Sequence, residues 1–76
     1  MKFRVFIDTN VFIYSFEFPE SNSAKTIALL NQGKIEAIIS DKVVEEVTHY
    51  FEKHHHLDLA RKFRRYLLES CIVITR

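Results

Sequence analysis

The sequence is poor in residues that staple, punctuate or span. Cys71 is its only cysteine, Gly33 its only glycine and Pro19 its only proline. A single thiol makes no internal disulfide and no cysteine-ligated zinc site, which fits a cytoplasmic protein best. Cys71 lies in the apolar run Cys71-Ile72-Val73-Ile74, and packing in a core is its simplest use. One glycine excludes the glycine-rich loops that cradle nucleotide phosphates. No apolar run approaches the roughly 20 residues that cross a membrane, so no membrane partner is expected. The opening Met1-Lys2-Phe3-Arg4-Val5-Phe6-Ile7-Asp8 puts an acid behind a short apolar stretch, which is wrong for a secretory signal. An excess of one charge is missing too. Eleven Lys and Arg stand against ten Asp and Glu, for a formal +1, so any basic surface for nucleic acid must be local. No Ser-His-Asp or Cys-His arrangement is suggested.

What is present is core material. Of 76 residues, 47% are apolar, with seven Phe and three Tyr, and this argues against a disordered chain. The length allows one domain, residues 1–76. A domain this small buries only roughly 60% of its unfolded surface and is marginal on its own. Phe3 to Ile7 reads as a strand, apolar enough to be buried on both faces. Asn10 to Phe16 reads as a short helix, and Glu17 to Ser23, with Pro19 and two serines, as a loop leading to the next. Ala24, Ile27, Ala28 and Leu30 have roughly helical spacing, and Gly33 is placed to cap that helix. Ile35 to Ile39 is a second strand. Ser40 or Asp41 caps a third helix, whose core face is Val43, Val44, Val47, Tyr50 and Phe51. His54-His55-His56 marks a break. Asp58 is placed to cap a fourth helix with Leu59, Ala60, Phe63, Tyr66 and Leu67 facing inward, and Cys71 to Ile74 is a third strand. The order β-α-α-β-α-α-β predicts parallel strands with right-handed helical crossovers, as in a three-layer α-β-α sandwich. Ligands bind such sheets beyond the carboxyl ends of the strands.

That rule selects two acids. Asp8 follows the first strand directly. As the head of Asp8-Thr9-Asn10 it is a good helix cap, or a ligand at the sheet edge. Glu46 lies about one and a half turns into the third helix, and helical side chains lean toward the helix N-terminus. It can therefore project toward the same edge, or simply complement the helix dipole. The dipole reading is sufficient for Asp41 and Glu45. Two converging carboxylates suit Mg²⁺ or Mn²⁺, hard ions that take oxygen ligands and keep several waters.

The stretch Phe3-Arg4-Val5-Phe6-Ile7-Asp8-Thr9-Asn10-Val11-Phe12-Ile13 resembles the opening of a PIN domain. Ile38-Ile39-Ser40-Asp41-Lys42-Val43-Val44-Glu45-Glu46-Val47 resembles that family's second motif, in which a strand ends in Ser and an acid follows six residues later. The resemblance runs over essentially the whole chain. It implies a metal-dependent nuclease acting mostly on single-stranded RNA, of the kind found among toxins of toxin–antitoxin pairs and in RNA processing. Asp8 and Glu46 match the first two acids of the metal cluster, and Asn10 matches a polar residue that supports the first. Family members continue past the third strand and supply a third acid, often a fourth. Asp58 and Glu69 match neither position. The chain is thus expected to be the N-terminal portion of such a domain, truncated before the last strands. The first strand, central in the family, would become an apolar sheet edge prone to pair with another chain. A homo-oligomer or a completing chain is expected on that ground, and an antitoxin is a further possible partner.

Other features have plainer alternatives. Arg61, Arg64 and Arg65 share a face of the fourth helix and suit RNA phosphates, a solvated surface, or the dimer and antitoxin surfaces of the toxin subfamily. Thr9 suits a cap or a phosphate contact. Three consecutive histidines do not chelate one ion well, and a polar helix end explains them. His49 is within reach of Glu45 and Glu46, as a surface pair. The non-catalytic alternative for the whole chain is a self-associating or protein-interaction module derived from a PIN domain.

Overall fold

The structure, a computed structural model, describes residues 2–75. In chain order its elements are β1 (Phe3–Phe6), α1 (Thr9–Glu17), α2 (Asn22–Asn31), β2 (Ile35–Ser40), α3 (Asp41–His54), α4 (Leu57–Ser70) and β3 (Cys71–Ile74). The fold is α/β. A parallel three-stranded sheet in the order β1-β2-β3 is joined by two helical crossovers.

The helix ends follow from local chemistry. Ser21 Oγ accepts from Ala24 N (3.1 Å) and Ser40 Oγ from Val43 N (3.2 Å), so each serine satisfies a main-chain donor that the first turn leaves free. Beyond α2, Gly33 takes φ +74°. Its N–H bonds Leu30 O and the Lys34 N–H bonds Leu29 O, both at 3.0 Å. This is the paired closure that a left-handed residue permits. The histidine run is the break between α3 and α4: His54 ends α3, His55 caps it, and His56 is the N-cap before the next helix. Asp58 does not cap α4. His56 does, its Nδ1 accepting from Leu59 N (3.3 Å). Asp58 lies in the first turn, where an acid complements the helix dipole.

All four helices lie on one face of the sheet. Two right-handed crossovers that step the same way across a sheet put their helices on the same side. The contacts agree. Phe16 of α1 packs edge-on against Phe51 of α3 (5.1 Å) and Phe63 of α4 (6.0 Å), and Tyr66 of α4 bonds Asn31 of α2. The Cα atoms span 37 × 31 × 16 Å. A helix is roughly 10–12 Å across, so the short dimension holds the sheet and one helical layer. Among the described residues, two of the expected three layers are formed.

The core lies between them. Val5, Ala37 and Cys71 are neighbours across the strands on the helix side, with Ile39 one step along. They meet Phe12, Val43, Val44, Val47, Phe51, Ala60 and Leu67. On the opposite side Phe6, Ile38 and Ile72 form a second row, with Phe6 76% exposed. The expectation that β1 is buried on both faces is therefore corrected. Helices cover one face only, and β1 has a single neighbour, β2, which makes it a sheet edge. Tyr50, expected in the core, is half-buried and reaches Glu17 Oε1 with its hydroxyl (3.2 Å).

Candidate metal centre at the carboxyl edge of the sheet

Asp8 and Thr9 follow β1 directly, and Ser40 ends β2, so α1 and α3 both start at the carboxyl edge of the sheet. Asp8 holds extended backbone (φ −88°, ψ 161°) as the N-cap of α1. Its Oδ1 accepts from Thr9 N (2.8 Å), the nearest amide. In the caps Ser21 and Ser40 the side chain instead reaches the amide three residues on. The Asp8 carboxylate is solvent-exposed.

Glu46 arrives from the second turn of α3. Val43, Val44 and Val47 around it are buried and fix the helix on the sheet, which leaves Glu46 exposed beside that face. Thr9 joins the two acids. Its Oγ1 donates to Glu46 Oε1 at 2.9 Å while its N–H donates to Asp8. Thr9 thus reaches across 37 residues of sequence to bring the two acids to one side chain. The sequence suggested a cap or phosphate contact for Thr9. In the fold it is the bridge between the carboxylates. Asn10, next in the first turn of α1, is exposed.

Asp8 also lines an open cleft of about 250 Å³ at this edge. Phe6, Ile38, Ser40, Val43 and Ile74 contribute to its walls, so all three strands reach it. Asp8 and Ser40 are the polar residues among its apolar lining, and Glu46 lies outside it.

Among the described residues no group of three or more His, Cys, Asp or Glu is placed to hold a metal ion. The donor set at this edge is the pair Asp8 and Glu46. The surface pair that His49 forms is with Glu52 and not with Glu45 or Glu46, Nδ1 to Oε1 at 3.9 Å, one turn along α3.

Arg61, Arg64 and Arg65 are all exposed and border one shallow hollow on α4 with Leu68 and Glu69. Arg61 and Arg65 continue with Lys62 and Asp58 into the adjoining hollow. Among the described residues none of the three forms an ion pair.

A second polar cluster was not anticipated. Glu17, at the end of α1, receives Tyr50 Oη at 3.2 Å and lies 2.7 Å from His55 Nε2. The hydrogen bond with His55 is the main cause that holds the Glu17 carboxyl below its ordinary value. Partial burial and the Glu17 carboxylate push the Tyr50 hydroxyl up. The sequence signal was faint: an acid at the end of one helix and a histidine at the end of another, with nothing to say that the crossovers bring them together. Cys71 is half-buried on the helix side, and desolvation pushes its thiol up to about 11. That is a packing role and not a reactive one.

No helix among the described residues is long and apolar enough to cross a membrane. Neither the curated proteins nor the solved structures give a significant match. A family model does match, that of the PIN domain, over residues 4–76. That match reaches every element of the β-α-α-β-α-α-β order and includes both carboxylates at the sheet edge, and the chain belongs to the PIN domain family.

Proposed function

We propose that this chain carries the Asp8–Glu46 part of a divalent-metal-dependent endoribonuclease site, acting on the phosphodiester bonds of single-stranded RNA. The observation that carries this reading is the Thr9 Oγ1 to Glu46 Oε1 hydrogen bond (2.9 Å), made by the residue that also engages Asp8. The donors fit the ion. In each carboxylate Thr9 engages one oxygen, and the second is free of protein hydrogen bonds among the described residues. Mg²⁺ is commonly held by one or two carboxylates, with water and substrate phosphate completing its shell.

Asp8 and Glu46 would hold Mg²⁺ or Mn²⁺, and the ion supplies charge against the phosphate and acidifies water. Thr9 orients both carboxylates. Asn10 supports Asp8 from the next position in the first turn of α1. Arg61, Arg64 and Arg65 offer a basic helix face for RNA phosphates, each contact weakening as salt rises.

The test is cleavage of labelled single-stranded RNA by the 76-residue chain in Mn²⁺, in EDTA and with Asp8→Asn. Cleavage in Mn²⁺ that disappears in both controls is the expected result. A folded chain that leaves RNA intact in Mn²⁺ would overturn the catalytic reading. It would favour the non-catalytic interaction module, for which the open β1 edge and the exposed Phe3 and Phe6 speak.

A further inference from the structure

Lys42 stands in the first turn of α3, at the carboxyl edge of the sheet where Asp8, Thr9 and Glu46 meet. Residues four apart on a helix are neighbours on one face. Lys42 and Glu46 therefore share a stripe of α3, with Lys42 one turn nearer the edge. Helical side chains lean toward the helix N-terminus. That lean carries the Glu46 carboxylate to Thr9 Oγ1 (2.9 Å). One turn earlier, it carries the exposed Lys42 side chain out past the start of α3, on the side that holds Glu46.

The Lys42 ammonium is uncommitted. Asp41 precedes it, and Glu45 and Glu46 follow three and four residues on. Among the described residues Lys42 nevertheless forms no ion pair. Asp41 Oδ1 accepts from the Lys42 main-chain N–H (2.9 Å), and Glu46 Oε1 accepts from Thr9. The surroundings favour a cation. Asp8, Asp41, Glu45 and Glu46 place four carboxylates around the starts of α1 and α3. A divalent ion offsets part of that charge, and an incoming phosphate adds to it.

We propose that Lys42 binds the RNA phosphate that enters the Asp8–Glu46 centre, its ammonium donating to a non-bridging oxygen. This rests on the nuclease reading of that centre and names a further residue that touches substrate there. Lysine suits the task. Its ammonium is a compact charge with three donors on a flexible stem, so it can follow a phosphate as the metal positions it. The hydrogen bond is charge-assisted, the stronger kind. The arginines of α4 lie elsewhere. That helix leads directly into β3, which starts at Cys71 beside Ala37, in the first half of β2. Its end therefore lies toward the amino edge of the sheet, and its arginines serve phosphates farther along the RNA.

Binding without cleavage tests this. Ca²⁺, another hard ion that takes oxygen ligands, replaces Mn²⁺. Fluorescence anisotropy of a labelled single-stranded RNA is read from about 50 to 200 mM salt, each phosphate contact contributing about 0.7 to the slope of log affinity against log salt. Lys42→Gln should make that slope shallower by about 0.7, so its deficit against wild type shrinks about 2.6-fold across the range. Lys42→Arg should keep the wild-type slope. Lys53→Gln, in the last turn of α3 and about 16 Å away along the axis, should keep it too. A slope unchanged by Lys42→Gln overturns the proposal. So does an equal loss in Lys53→Gln, or a wild type that binds no RNA. The nuclease reading is judged separately, by cleavage in Mn²⁺. Cleavage beside an unchanged Lys42→Gln slope removes Lys42 and leaves that reading standing. A Lys42-dependent slope in a chain that leaves RNA intact keeps the phosphate contact and removes the catalysis.

Discussion

At the residue scale the structure turns on short polar side chains that tie distant helices together. Thr9 does this for Asp8 and Glu46, and Glu17 does it for His55 and Tyr50. The second cluster has a consequence for acid stability. Hydrogen bonding from His55 is the main cause lowering Glu17 below its ordinary value of 4.5. Partial desolvation opposes it, and Tyr50 adds to it. A carboxyl whose folded value is depressed binds fewer protons folded than unfolded. Its stabilising contribution is therefore fully present above 4.5 and is lost as pH falls through the lowered folded value. Thermal melts across that acid range should show wild type losing stability more steeply than Glu17→Gln, with the variant less stable at neutral pH. Parallel curves would mean that the Glu17–His55 contact contributes nothing.

At the element scale α3 is the organiser. Ser40 starts it, Val43, Val44, Val47 and Phe51 fix it on the sheet, and that fixing carries Glu46 to the carboxyl edge. Phe51 is fully buried and stacks on Phe63 at 4.5 Å. Phe51→Ala should cost about 3–5 kcal/mol. Small native domains have about 5–15 kcal/mol in total, so chemical denaturation should find this variant largely unfolded or close to it. A loss below about 1 kcal/mol would mean that the aromatic cluster is not the core. The apolar spacing of α3 was legible in the sequence because period and burial coincide there. The same holds for the closure of α2 at Gly33, where one residue type fits a left-handed position. β1 was legible as a strand and as an edge, but not in its burial. Four apolar residues out of five read as interior, and only the placement of all four helices on one side shows that one face stays uncovered among the described residues. Asp58 was misread because a histidine cap is uncommon and His56 already supplies the acceptor two residues earlier. Of the candidate centre, the two acids and their edge could be read. The threonine between them could not, because its partner is 37 residues away and is set by both crossovers.

At the scale of the whole molecule, a parallel sheet with both crossovers on one side brings the starts of α1 and α3 together at the carboxyl edge. The pairing of Asp8 and Glu46 on which the proposed centre rests therefore exists only in the folded chain. An ion held there binds the native state and not the unfolded one, and it must raise the melting temperature, by an amount that grows with the logarithm of its concentration over its dissociation constant. The most direct measurement is the thermal unfolding of wild type, Asp8→Asn, Glu46→Gln and Thr9→Val across a Mn²⁺ titration. The expected result is a rise for wild type that is absent in both carboxylate variants. For Thr9→Val the rise should need about 10–100-fold more Mn²⁺, the usual cost of losing a residue that orients metal ligands. Equal stabilisation of all four proteins, or of none, would contradict a metal centre at Asp8 and Glu46.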